Sequence, residues 1–101
     1  MEIITVGHLY KLDSFEGGVK QSLQFIEKRP IGAGPELQTV NDGTTNEEIL
    51  AVLIDRLGYL NGEFPCRENA LAITKCEEAL MWLNKRTADR VRRGVEGKQI
   101  P

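Results

Sequence analysis

The stretch Phe64–Gly97, FPCRENALAITKCEEALMWLNKRTADRVRRGVEG, constrains this chain more than any other. Ile73, Cys76, Leu80 and Leu83 recur at three- and four-residue intervals, and Ala72, Ala79 and Trp82 widen the stripe. That period predicts one helix from Cys66 to Arg93, with Gly94 as its stop. At a rise of roughly 1.5 Å per residue it extends about 42 Å, which is long for a protein of 101 residues. A short partner helix cannot cover it. Part of its apolar flank is therefore expected to meet another chain, and its C-terminal end carries a cluster of arginines.

The residues before it predict a partner helix and a β-rich start. Thr45 with Glu48 three positions on matches a capping box, so a first helix is expected to begin at Thr44 or Thr45. Ile49, Val52, Leu53, Leu57 and Leu60 give it an apolar stripe, and Gly62 and Pro65 close it. Helices joined by so short a turn lie antiparallel. Upstream, Gly7–Phe15 and Val19–Lys28 flank Gly17-Gly18 and read as a hairpin, with Leu23 and Phe25 alternating against polar neighbours. Pro30, Gly32, Gly34 and Pro35 mark a loop, Leu37–Val40 a short third strand, and Asn41-Asp42-Gly43 a turn. The fold class expected is α+β: an N-terminal antiparallel β-hairpin or small sheet, then an antiparallel helical hairpin with a long C-terminal helix. One domain spans 1–101, β-rich over 1–42 and helical over 43–101.

Composition excludes several classes. Apolar residues make up 41% and charged residues 28%, so the chain is globular. A net charge of −2 argues against a dedicated DNA binder. The charge is uneven: residues 1–42 hold 4 Lys/Arg against 6 Asp/Glu, while 85–98 hold 6 basic against 2 acidic residues. No apolar run approaches the ~20 residues of a membrane span, and MEIITVGHLYK lacks the pattern of a secretory signal. A cytoplasmic location is expected. Cys66 and Cys76 stand ten residues apart on one helix, about 15 Å, too far for a disulfide. Both read as reduced residues, Cys76 in packing and Cys66 at the helix start.

Catalysis finds little support. His8 is the only histidine, no CxxC or HExxH spacing occurs, and no phosphate-cradling glycine loop is present. A Cys–His nucleophile pair would have to join His8 on a strand to a cysteine on a helix. The adjacent pairs Glu47-Glu48 and Glu77-Glu78 point about 100° apart on a helix and read as solvated faces. No cofactor, no metal and no enzyme activity are expected.

The arginines carry the chemistry. Arg86, Arg90 and Arg93 share a helix face at i, i+4 and i+7, whereas Lys85 and Arg92 point elsewhere. Cations near a helix C-terminus gain ~0.3–1 kcal/mol from the macrodipole, which accounts for some of the cluster. Two guanidinium forks on one face also suit a bidentate grip on phosphate. Tyr59 could stack on a base and Asn69 pair with a base edge. Each also reads as an ordinary helix-end residue.

The run NDGTTNEEILAVLIDRLGYLN followed by CRENALAITKCEEALMWLNKRTADRVRRGVEG resembles the phage anti-Thoeris sponge proteins of the first described type. The core ALAITKCEEALMW is also similar to the phage anti-CBASS cyclic-nucleotide sponge, while HLYKLDSFE and QSLQFIEK resemble the anti-Thoeris branch only. The resemblance implies a homo-oligomer, dimers assembled into a hexamer, that sequesters glycocyclic ADP-ribose made by TIR-domain defence proteins in the host bacterial cytoplasm. Some members of the family also hold cyclic di- or trinucleotides in separate pockets, and the resemblance implies no catalysis. Position by position it puts the stacking aromatic on Tyr59, the polar base or ribose contact on Asn69, and the phosphate grip on Arg86 and Arg90, with a further arginine on Arg29. The family's aromatic is Phe, so Tyr59 keeps the ring and adds a hydroxyl.

Helix geometry adds a constraint. Asn69 and Arg86 are 17 residues apart, about 25 Å along the axis, so one chain cannot present both to one such ligand. Two antiparallel chains can: the Tyr59/Asn69 end of one meets the Arg86/Arg90 end of the other, twice per two-fold dimer. An alternative reading is an oligomeric interaction module whose arginine end docks an acidic protein or RNA, although RNA binding usually uses aromatics interleaved over a broad basic surface.

Overall fold

The computed structural model describes all 101 residues. Strands β1 (Glu2–Thr5), β2 (Leu9–Leu12), β3 (Gln21–Gln24), β4 (Glu27–Pro30) and β5 (Leu37–Asn41) precede helices α1 (Asn46–Glu63) and α2 (Arg67–Arg92). The architecture is α+β, with antiparallel strands followed by a helical hairpin whose second helix is the longer. The chain divides into two compact units, residues 1–45 with 97–101, and residues 46–96.

In the first unit β1, β2 and β3 form an antiparallel sheet in that order. Ile3, Tyr10 and Leu23 stand side by side across it, an arrangement in which cross-strand apolar pairs stabilise the ladder. Tyr10 also meets Phe25 edge to face, with centroids 5.9 Å apart and ring planes at 89°, as the ring quadrupoles favour. Strands β4 and β5 form a separate antiparallel ribbon with a bulge between Glu27 and Lys28. The C-terminal residues join this unit: the Gln99 N–H donates to the Pro35 carbonyl at 2.8 Å, and the Lys98 and Glu36 backbones form an isolated antiparallel β-bridge.

The strand pattern departs from expectation in three places. Glu2–Thr5 is a strand, β1, which the sequence reading did not include. The expected strand Val19–Lys28 is broken, because the chain changes partners at its middle. The Phe25 N–H still donates to the His8 carbonyl at 2.7 Å, whereas the Ile26 N–H donates to the Thr44 carbonyl at 2.9 Å. Glu27 then starts a new pairing with Asn41. The strand runs past its expected end at Lys28 to Pro30, which ends β4, as an edge position tolerates. At the crossover a Cβ on Gly43 would lie 2.4 Å from the Gln24 carbonyl oxygen, so only glycine fits there.

In the second unit α1 begins directly after Thr45 and runs through Gly62 to Glu63. Cys66, in extended conformation, is the N-cap of α2, and its Sγ accepts the Asn69 N–H at 3.4 Å. Asn61 Oδ1 accepts the Cys66 N–H at 3.0 Å and ties the turn together. At the other end Gly94 takes φ +72°. The Gly94 N–H donates to the Val91 carbonyl at 3.0 Å and the Val95 N–H to the Arg90 carbonyl at 2.9 Å, the two bonds of a Schellman cap.

The α2 seam is as expected at Ala72, Ile73, Cys76, Leu80 and Leu83, which are half-buried, but Ala79 and Trp82, expected to widen it, are exposed. On α1 the expected stripe is partly displaced. Ile49, Leu57 and Leu60 are half-buried, but Leu50 and Ile54 take the places expected for Val52 and Leu53, which remain exposed. Apolar residues surround this part of α1 on every side, so periodicity alone does not select the seam.

No hydrophobic side chain is buried anywhere in the lone chain. Its accessible surface is 7681 Å², where a folded monomer of 11.3 kDa exposes about 5,700 Å².

Candidate functional site

Two clusters occupy opposite ends of the helical hairpin. At the turn end, Tyr59 is 62% exposed on α1. With Glu48, Ala51, Val52, Asp55 and Arg56 it lines an open face of α1 that extends from the first turn of the helix to Tyr59. Val52 and Tyr59, seven residues apart, share a face of α1 between the Glu48/Asp55 carboxylates and the Arg56 guanidinium, and the exposed ring offers a stacking surface. Asn69 sits half-buried in the first turn of α2, placed there by the Cys66 cap.

At the far end the arginines differ sharply. Arg86 is exposed. Arg90 is 4% exposed: its Nη2 donates to the Val95 carbonyl at 2.9 Å, and its Nε lies 3.4 Å from Glu96 Oε2. The residues past the Schellman cap thus fold back over Arg90. Arg92 and Arg93 both pair with Asp89. The hydrogen bond from Arg92, with the charges of both arginines, holds the Asp89 carboxyl below its ordinary value against a smaller opposing effect of burial. Shared sequence spacing therefore conceals two environments, a solvent-facing Arg86 and an anchored Arg90.

Along α2, Asn69 and Arg86 are separated by 17 residues of continuous helix, about 25 Å, so the two clusters of one chain do not converge. Arg29 lies on β4 with its side chain 66% exposed, its Nη2 3.2 Å from Glu27 Oε2. Glu27 itself is buried and also accepts a hydrogen bond from Asn41 Nδ2 at 3.1 Å. The Asn41 bond is the main cause that lowers the Glu27 carboxyl below its usual range; burial opposes it, and Arg29 and His8 add to it. No group of three His, Cys, Asp or Glu side chains is placed to hold a metal ion, and no helix is long and apolar enough to cross a membrane.

Sequence reasoning passed over two features here. Lys85, Ala88, Asp89 and Arg92 line a second shallow hollow of about 260 Å³, for which the i, i+3, i+4, i+7 spacing was an available signal. Lys85 also reaches over the Trp82 ring, 5.2 Å from its centroid, a cation–π contact. The Glu27–Asn41 pair had no such signal, because it depends on the register of the β4–β5 ribbon.

Comparison with known proteins bears on both clusters. Residues 26–88 match the family model described as Acb2/Tad1, hairpin domain. That span holds Arg29, Tyr59, Asn69 and Arg86 and stops just short of Arg90. A 65-residue region is 62% identical to Thoeris anti-defense 1 of Bacillus phage SBSphiJ7, covering 63% of this chain and 46% of that relative. The chain thus matches less than half the length of that protein. With well over half of its residues inside the family model, the chain belongs to the Acb2/Tad1 hairpin-domain family.

Proposed function

We propose that this protein inhibits Thoeris-type anti-phage defence by sequestering, intact, the TIR-derived messenger glycocyclic ADP-ribose in the cytoplasm of the infected host. The observation that carries this reading is the 62% identity to Thoeris anti-defense 1 over 65 residues, and the helical hairpin of this chain carries an exposed aromatic and an exposed arginine. A defence messenger of this kind is a compact anion with an adenine ring. Tyr59 offers the stacking face, Asn69 an amide for base or ribose, and Arg86 a guanidinium fork for phosphate. Arg90, anchored by Val95 and Glu96, stands one turn beyond Arg86, and Arg29 supplies a further cation.

The site is composite. The 25 Å between the two clusters requires that the Tyr59/Asn69 end of one copy face the Arg86/Arg90 end of an antiparallel copy. The excess surface of the lone chain, about 2,000 Å² above a monomer of its mass, favours the same conclusion. Further copies, dimers built into a hexamer, would cover this surface. Cyclic di- and trinucleotides occupy separate pockets in the same assembly.

Sequestration needs no nucleophile or base. The test is to incubate the protein with the product of a TIR-domain enzyme, heat-denature it, and apply the supernatant to the messenger-dependent effector. Restored effector activity is the expected result; a cleaved messenger would replace this reading with an enzymatic one.

A further inference from the structure

The messenger reading leaves one buried group without a task. Glu27 is a carboxylate with 8% of its side chain exposed, on a two-stranded ribbon that is otherwise solvated. A buried carboxylate is costly unless its oxygens are satisfied, and here each oxygen has a different partner. Oε1 accepts from Asn41 Nδ2 at 3.1 Å, across the ribbon, and Oε2 accepts from Arg29 Nη2 at 3.2 Å, two residues along the same strand. The carboxylate is buried, and the guanidinium it holds reaches outward.

The asymmetry between the partners is informative. Asn41 and the strand backbone hold Glu27 in place, whereas Arg29 is 66% exposed. An ion pair that exposed contributes little to stability. A guanidinium has five N–H donors, and Arg29 gives one nitrogen to Glu27 while the others face solvent. A free arginine side chain loses considerable rotamer freedom on binding. One already pinned at Nη2 presents its fork with part of that loss already incurred.

We propose that Glu27 is a positioning residue that holds the Arg29 guanidinium as a preset contact for a phosphate or pyrophosphate group of the messenger. This rests on the sequestration reading for the identity of the ligand, but not for the anion chemistry. Asn41 in turn fixes Glu27, so the three residues act as a relay from the ribbon to the ligand.

Glu27→Gln tests the idea cleanly. The Gln amide oxygen can still accept from Asn41, while its NH₂ group faces Arg29 and releases it. Messenger affinity is measured by calorimetry for the native chain, Glu27→Gln, Arg29→Ala and the double variant. The loss of one charge-assisted contact predicts about a tenfold weaker Kd for Arg29→Ala, a smaller but measurable weakening for Glu27→Gln in the native background, and less than a twofold further change from Glu27→Gln when Arg29 is already alanine. Equal losses in both backgrounds would show a merely structural role and overturn the proposal, as would unchanged affinity in Glu27→Gln. In parallel, the Arg29 Nε–H resonance is followed by NMR during titration with inorganic pyrophosphate. A shift in the native chain that is absent from Glu27→Gln supports the proposal, and no shift in the native chain overturns it. A native chain that binds pyrophosphate at Arg29 but no messenger would reject the sequestration reading and leave Glu27 in its positioning role.

Discussion

Arg90 and Val95 cap one another: the Val95 N–H donates to the Arg90 carbonyl, and Arg90 Nη2 donates to the Val95 carbonyl, each at 2.9 Å. The guanidinium of Arg90 is in this way part of the device that ends α2. Arg86, one turn earlier, is exposed and has no such duty.

The two arginines should therefore separate in stability. Arg90→Ala removes a hydrogen bond from a buried charged group, worth about 1.5–3 kcal/mol, and should lower the Tm by on the order of 10 °C. Arg90→Lys, which lacks the planar fork, should not restore it. Arg86→Ala should change stability by less than about 0.5 kcal/mol. Thermal melts followed by circular dichroism measure both, and an equal loss from the two substitutions would show that the cap does not depend on Arg90.

Messenger binding should respond to Arg86 directly. If its fork grips a phosphate, Arg86→Ala weakens binding by about tenfold or more with the fold intact. Tyr59→Phe should bind nearly as well as the native chain, because the ring does the stacking, whereas Tyr59→Ala should lose affinity at a stacking value of roughly 1–3 kcal/mol. Calorimetry with purified messenger reads all three. Unchanged affinity in Arg86→Ala would return that residue to helix-end chemistry.

Gly43→Ala should be among the most damaging small changes in the chain. Its new methyl would meet the Gln24 carbonyl oxygen at 2.4 Å and the Phe25 carbonyl carbon at 2.6 Å. Both are backbone atoms that cannot rotate away. Overpacking of this kind costs about 1–3 kcal/mol or more. Urea unfolding monitored by near-ultraviolet signals from Tyr10 should show the midpoint falling.

Acid should weaken the fold through Glu27 and Asp89. Their carboxyls are held below the ordinary values of 4.5 and 3.8, Glu27 chiefly by the Asn41 hydrogen bond and Asp89 chiefly by the one from Arg92. A depressed native value means that the unfolded chain takes up protons first. The stability these groups contribute is complete above the ordinary values and is lost as pH falls through the lowered ones. Glu27→Gln should flatten the acid limb of a stability-versus-pH curve measured by urea titration.

The helical hairpin was legible because its signals are local. Gly94 announced the end of α2, Cys66 its beginning, and the three-four spacing of Ile73, Cys76, Leu80 and Leu83 its seam. What escaped depends on contacts distant in sequence. The short strand β1 is defined by pairing to β2, and the break at Ile26 by a hydrogen bond to Thr44, eighteen residues on. The candidate site shows the same division. Spacing grouped Arg86 with Arg90, but the burial of Arg90 follows from the return of Val95 and Glu96, which no periodicity encodes.

A chain that fully buries no hydrophobic side chain of its own should owe its folded lifetime to how many copies surround it. Linkage then makes the melting temperature climb with protein concentration, and dilution should release unfolded chains instead of stable monomers. Under the sequestration proposed above, in which a signal is disarmed mole for mole, this sets a threshold. Newly made copies below the association concentration would be open to proteases and unable to trap messenger. Once enough have accumulated, capacity would appear abruptly, all sites together.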